Sequence, residues 1–330
     1  MVVKMTRAEA WEQFQAAHRQ EQEQLRQAFW DRLQDRLGQL MECIYGALDD
    51  IGKQAEEQEK DDCMYFLFSL LRCGMTENKA TVRLDVTNLE WYLDEEPLTA
   101  CFQITFLFQE YFDWKEQLLL DMREYRGKVN KYDVCSFIQD EIMVCNQLIT
   151  HILRFAFRNL EEQEAFKRIG KLPMWIIRWG EYKDYSEIAM QVNREVRGED
   201  AWLDKLQQYE EKPDILMAEY WYQENLTSGD CREKVMYFIT FEECTLKGID
   251  FTKADLTGAR FLRCRIEDCD FTQAVLRQSE FEDCTLSDNN FRDAILQQAV
   301  FSEESFRPEA FDEKQLEELL VAEQPEEEEA

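Results

Sequence analysis

The chain has 330 residues, 45% of them hydrophobic, enough apolar material for two packed domains and unlike the composition of a disordered protein. It carries 69 acidic against 38 basic side chains, a formal net charge of -31, which repels nucleic acid and anionic membranes, and no local basic patch overrides it. Met1 to Phe14 lacks the apolar run of a secretory signal, runs such as Met64 to Leu71 are too short to span a bilayer, and the 11 cysteines show no paired spacing. The expectation is a cytoplasmic protein with reduced thiols, no direct nucleic-acid binding and no membrane contact.

From Thr6 to Ile51 apolar residues keep three- and four-residue spacing through Trp11, Phe14, Leu25, Phe29, Leu33, Leu37, Leu40, Ile44 and Leu48. This predicts one long amphipathic helix, opened by a Thr6/Glu9 capping box and with Gly38 or Gly46 as candidate breaks. Further helices are predicted at about Glu56 to Cys73, Leu98 to Arg126, Tyr132 to Asn159, Asp200 to Glu211 and Pro213 to Asn225. The one clear strand is Thr81 to Thr87, where Val82, Leu84 and Val86 alternate with Arg83 and Asp85. Gly170-Lys171-Leu172-Pro173 marks a break inside this region, and Thr227-Ser228-Gly229-Asp230 is the linker to the C-terminal third.

Beyond the linker a large apolar residue recurs every five positions: Phe241, Leu246, Phe251, Leu256, Phe261, Ile266, Phe271, Leu276, Phe281, Leu286, Phe291, Leu296 and Phe301. Two residues before most of these sits a small side chain, as at Cys244, Ala254, Ala259, Cys264, Cys269, Ala274, Ser279, Cys284, Ala294 and Ala299; Ile249 and Asn289 are exceptions. Neither helix nor strand has a period of five, so the chain must turn a corner at each unit. In blocks of twenty residues the same types fall in the same columns, Phe241 above Phe261 above Phe281 above Phe301. Stacked coils about 4.8 Å apart would fill a lumen with these columns, and three coils make a rod about 15 Å tall.

The segment from about 239 to 311 resembles the pentapeptide-repeat family, and Ala254-Asp255-Leu256-Thr257-Gly258 matches the family's usual form. The resemblance implies a right-handed, four-sided β-helix. The fold class expected is therefore a multidomain chain: a mostly α-helical domain over 1–230, with a sub-boundary near 170, then the β-helix over 231–311. Residues 312–330 are expected to form a capping helix and a disordered acidic tail. Glu304 and Glu309 fall where small inward residues belong, so the repeat should stop there, with Asp312 to Leu320 a helix presenting Leu316, Leu319 and Leu320 to one side.

Chemistry-bearing motifs are sparse. The only histidines, His18 and His151, lie in separate predicted helices among apolar neighbours and read as packing residues. Cys244, Cys264 and Cys284 would stack as a thiol ladder, but cysteine is a small apolar residue and no Cys-x-x-Cys or histidine completes a zinc set. Trp175, Trp179, Tyr182 and Tyr185 follow helical spacing and read as core rather than as a ligand-stacking surface. No phosphate loop, nucleophile elbow or metalloprotease motif is present, so no catalytic residue, cofactor or metal is expected.

The leading expectation is a non-catalytic interaction or scaffold protein whose β-helix and helical domain bind another macromolecule, a protein or a second copy of the chain. The resemblance supplies an alternative, since some pentapeptide-repeat proteins protect DNA gyrase by imitating duplex DNA with a long acidic rod. Three coils are shorter than such a rod, and the outward columns mix signs, as in Glu243, Arg263, Asp283 and Lys247, Glu267, Ser287. An enzyme housed in the helical domain is the third class. Along each strand the residue before a central one faces outward. Most are polar, such as Thr245, Arg265, Thr285 and Asp250, Asp270, Asn290, but one column runs Asp255, Val275, Ile295 and its neighbour ends in Val300. Val275, Ile295 and Val300 are thus the candidate protein-binding strip, covered by the C-terminal cap, the helical domain or a second copy.

Overall fold

A computed structural model describes residues 5–322. The chain divides into two compact units, with the boundary after Met190.

In the first unit, α1 (Arg7–Asp35) opens with the expected capping box: the Glu9 amide donates to Thr6 Oγ1 at 3.2 Å and the Thr6 amide to Glu9 Oε2 at 2.6 Å. The long helix breaks at Arg36, two residues before Gly38, and resumes as α2 (Leu37–Glu57). The predicted helix from Glu56 to Cys73 is corrected here. Its apolar part is a strand, β1 (Cys63–Leu71), paired antiparallel with β2 (Thr81–Thr87) on one side and parallel with a later strand on the other. A central strand covered on both faces reads as a continuous apolar run, which has no period to distinguish it from a buried helix. Likewise Leu98–Gln103 is strand β3, and helix α3 begins only at Thr105, running to Asp121. Helix α4 (Lys131–Ala156) is as expected, and a single turn, α5 (Glu164–Lys167), precedes β4 (Lys171–Glu181) and β5 (Ser186–Asn193).

The five strands form one mixed sheet in the order β3-β2-β1-β4-β5. Trp175 and Trp179 are core, as expected, but on a strand, since residues four apart share a face under both periods; Tyr182 and Tyr185, expected to be core with them, are instead exposed, because they lie beyond the end of the strand in the hairpin that follows it. Trp179 stacks on Phe68 with centroids 5.6 Å apart, and Phe66 meets Phe166 of α5 at 5.2 Å, fixing that helix to the sheet.

The second unit takes up the chain at Gln191, within β5, and its first helix is α6 (Glu199–Gln208), close to the expected helix. The predicted helix from Pro213 to Asn225 is absent: turns lead into β6 (Tyr220–Tyr222) and β7 (Asn225–Leu226). Twenty-residue steps then carry β8 (Thr240–Glu242), β9 (Thr245–Lys247), β10 (Arg260–Leu262), β11 (Arg265–Glu267), β12 (Glu280–Glu282), β13 (Thr285–Ser287) and β14 (Val300–Ser302). Helix α7 (Glu313–Glu318) and β15 (Leu320–Ala322) complete the described chain. One parallel ladder runs β15-β14-β12-β10-β8-β6 and a second β13-β11-β9-β7. The β-solenoid therefore occupies residues 220–322 in about five turns, rather than the three coils counted from the Phe and Leu columns. The first coil hides because Trp221, Cys231 and Met236 stand where the later coils have Phe, Phe and Leu, and only Leu226 keeps its column's residue.

Every repeat centre from Phe241 to Phe301 is buried except Leu286, which is partly exposed on the last rung of its ladder. Phe241, Phe261, Phe281 and Phe301 stack with centroids 5.5, 4.6 and 4.5 Å apart. Each corner needs a left-handed residue two after the centre: the series Glu243, Gly248, Lys253 and onward to Gln298 holds φ between 50 and 72° at every fifth position. Only at Gly258 is glycine demanded, since a Cβ there would stand 2.5 Å from the Phe238 ring.

Both ends of the lumen are closed. At the start Trp202 of α6 packs edge-on against Trp221 and Phe241, at 5.3 and 5.8 Å. At the other end Phe311 covers Phe291 and Phe301, at 5.1 and 5.3 Å, and Gln315 donates to the carbonyls of Phe291 and Ala294. Glu304 and Glu309 turn outward and Ser305 takes the small inward place, accepting from the Cys284 amide at 2.7 Å. The expected cap is present with one correction. Of its three leucines only Leu319 is buried; Leu316 and Leu320 are exposed, Leu320 because it has entered a strand. The acidic tail lies outside the described residues.

Candidate interaction surface of the β-helix

Packing and backbone hydrogen bonding account for the small-residue columns. The thiols of Cys264 and Cys284 donate to the carbonyls of Phe241 and Phe261, at 3.2 and 3.1 Å, each 23 residues back in the coil below. Burial pushes the Cys269 thiol up to about 11, which keeps it protonated and unreactive at neutral pH. Asn289, an exception to the small-residue rule, inserts its amide into the ladder: its Oδ1 accepts from the Cys269 amide at 2.9 Å and its Nδ2 donates to the Ile266 carbonyl at 2.8 Å. Ile249, the other exception, is simply buried in the core. Among the described residues no three His, Cys, Asp or Glu side chains converge where they could hold a metal ion. His18 packs against Phe14 at 4.8 Å, and His151 is exposed beside Trp30 and Phe155.

The outward acidic columns are also largely occupied. Asp250, Asp255 and Asp270 each turn a carboxylate oxygen to the amide two residues on, at 2.9, 3.2 and 2.9 Å, and so brace the corners. Other outward charges pair one coil apart: Arg260 with Glu280 at 2.7 Å, Lys247 with Glu267 at 3.4 Å, and Lys253 with Glu233 at 3.4 Å. Glu242 is buried. Burial alone would raise its carboxyl, but hydrogen bonds from Tyr220 and Arg194 and the charges of Arg194 and Arg263 hold it below the usual range.

Against this background the apolar outward residues differ. Val275 and Ile295 bridge directly, one coil apart, and both are half-buried. Ile295 lies in a cavity of about 500 Å³ beside α7, with Arg277, Lys314 and Glu318 at its walls. Val300 sits on the neighbouring ladder between Glu280 and Leu320. The structure thus joins Val275 to Ile295, places Val300 on the adjacent ladder, and adds Leu320, which the expected helix conceals. Leu316, Leu320 and Val321 are exposed at this same end of the β-helix, at 38, 55 and 41%.

Residues 239–320 match the family model of the pentapeptide repeat region, about a quarter of the chain, and this segment is a pentapeptide-repeat β-helix. Similar solved structures include HetL, a pentapeptide repeat protein involved in heterocyst differentiation regulation from the cyanobacterium Nostoc sp. strain PCC 7120. It is 20% identical, with 28% of this chain and 42% of that chain covered and a TM-score of 0.26. Another is alr5209, a pentapeptide repeat protein from Nostoc PCC 7120, 17% identical, with 39% of this chain and 99% of that chain covered and a TM-score of 0.24. The chain spans less than half the length of HetL. No curated protein matches it in sequence. Among the described residues no helix is long and apolar enough to cross a membrane.

Proposed function

We propose that this is a non-catalytic interaction protein and that its β-helix binds a protein partner through the strip Val275, Ile295 and Val300, extended by Leu320. The observation that carries this reading is the contrast among the outward columns. Most of the others hold polar residues, aspartates bracing their own corners or charges paired one coil apart, whereas this strip offers two or more apolar side chains in succession beside the exposed Leu316 and Val321. A rigid ladder loses little conformational freedom on docking, which favours binding through such a face. The partner is a second copy of the chain or a different protein.

Replacing Val275 and Ile295 together by Ser tests it. Sedimentation of the parent chain reports self-association, and capture of partners from the native cell reports a different protein; both should weaken in the double variant while its melting stays cooperative. Unchanged assembly and unchanged capture would make the strip ordinary surface. The pairing of outward charges speaks against the alternative of duplex mimicry, which needs unneutralised acidic rows to occupy a phosphate-binding groove.

A further inference from the structure

The first unit carries a second feature, independent of the β-helix reading. An open cleft of about 610 Å³ lies between Trp91 and Tyr92 on one side and Arg178, Lys183 and Tyr185 of β4 and the following hairpin on the other. Its charges are unbalanced. Asp184, also on the wall, turns a carboxylate oxygen to the Tyr185 amide at 2.9 Å. Glu187 is paired with Arg154 at 2.9 Å and accepts from the Tyr185 hydroxyl at 3.2 Å. The half-buried Arg178 has no such partner: its guanidinium donates only to the hydroxyl and carbonyl of Ser186, and no described carboxylate forms an ion pair with it. Burial pulls this guanidinium below its ordinary range, although Tyr92, Tyr185 and the more distant charge of Glu187 act in the opposite direction. Arg178 is thus a desolvated cation with no described carboxylate at ion-pair distance, and unlike the buried Lys115, which donates to the Met75 carbonyl and the Asn78 side chain, it faces an open cleft.

The aromatic wall is held in a strained conformation. Trp91 has φ of 55°, a left-handed value rarely adopted by so bulky a side chain. Three contacts impose it: the Trp91 amide donates to the Asn88 carbonyl at 3.1 Å, the Asp94 amide donates to the Trp91 carbonyl at 3.2 Å, and the indole stacks on Tyr65 at 4.8 Å. Asp94 anchors the loop in turn, accepting from the Asn88 and Glu96 amides and from Lys60. The Trp91 indole N–H is buried without a hydrogen-bond acceptor, and Tyr92 stacks on the indole at 5.1 Å while remaining 60% exposed.

We propose that this cleft binds a small organic anion bearing a planar ring, its carboxylate or phosphate on Arg178 and its ring against Trp91, Tyr92 and Tyr185. An oxyanion supplies the acceptors the guanidinium lacks, and a planar ring occupies the aromatic wall. Lys183 at the rim adds attraction without fixing orientation.

Calorimetric titration of the full chain with phenyl phosphate, benzoate, benzyl alcohol and inorganic phosphate tests this. One or both ring anions should bind saturably, and benzyl alcohol and inorganic phosphate at least about tenfold more weakly. Preference for phenyl phosphate assigns a phosphate ligand and preference for benzoate a carboxylate. Arg178→Met should weaken the preferred anion by about ten- to a hundredfold. Because Arg178 also holds Ser186, the exposed Tyr92→Ala provides a second variant; it should weaken binding by about tenfold with its thermal melting unchanged. Failure of both ring anions to saturate at millimolar concentration, or equal binding of benzyl alcohol, overturns the proposal.

Discussion

Phe271→Ala is the most direct test of how the β-helix is held together. The ring is fully buried and lies between Phe251 and Phe291, with centroids 4.9 Å away on both sides and interplanar angles of 11 and 2°. It also meets Phe261 and Phe281 edge-on at 6.2 and 6.4 Å. Removing a buried phenyl group costs about 3–5 kcal/mol through lost burial and the cavity left behind. Aromatic pairing adds about 0.5–1.5 kcal/mol per pair beyond area, so the upper part of that range is expected. The central coil also links the coils on either side, so the loss should reduce cooperativity along the rod. Denaturant unfolding followed by far-ultraviolet circular dichroism measures both effects. A loss below about 1 kcal/mol would refute the stacking register, because no fully buried phenylalanine in a closed lumen should be removed with so little effect.

Other consequences are equally checkable. Gly258→Ala should destabilise by about 1–3 kcal/mol, because the new Cβ meets the Phe238 ring, and Gly248→Ala should cost less, because its nearest neighbour is the Thr227 carbonyl at 3.9 Å; equal melting shifts would contradict the close approach. Glu242, with its lowered carboxyl, contributes stability that is fully present above its unfolded value of about 4.5 and is lost as pH falls through the native value. Glu242→Gln should therefore cost about 1–3 kcal/mol at neutral pH, discounted for the partly exposed Arg194 and Arg263, and the difference from the parent should shrink on acidification. A difference independent of pH would show that the carboxylate charge is not what matters. In a supercoiling assay the chain should leave DNA gyrase uninhibited; potent, salt-sensitive inhibition would favour duplex mimicry over the interaction reading.

The five-residue period is enough to locate the β-helix, its inward columns and its strip Val275–Ile295, because each of those positions recurs in the chain and is set by neighbours twenty residues away in near-identical surroundings. Thr6, Glu9 and the alternation from Thr81 to Thr87 are legible for a similar reason: the stabilising contacts are local or strictly periodic. What tertiary structure alone decides lies where surroundings replace periodicity. Met64 to Leu71 is a strand because it is paired on both sides and buried on both faces, and Trp175 and Trp179 are consistent with either period. The first coil does not show in the repeat because Trp221 packs against a helix, α6, and not only against another coil, so its residues need not follow the pattern. The cleft at Arg178 is not legible as a site in the sequence: Tyr65 and Trp91 lie far along the chain from the hairpin that carries Arg178 and Tyr185, and only the folding of one sheet brings a desolvated cation against an aromatic wall.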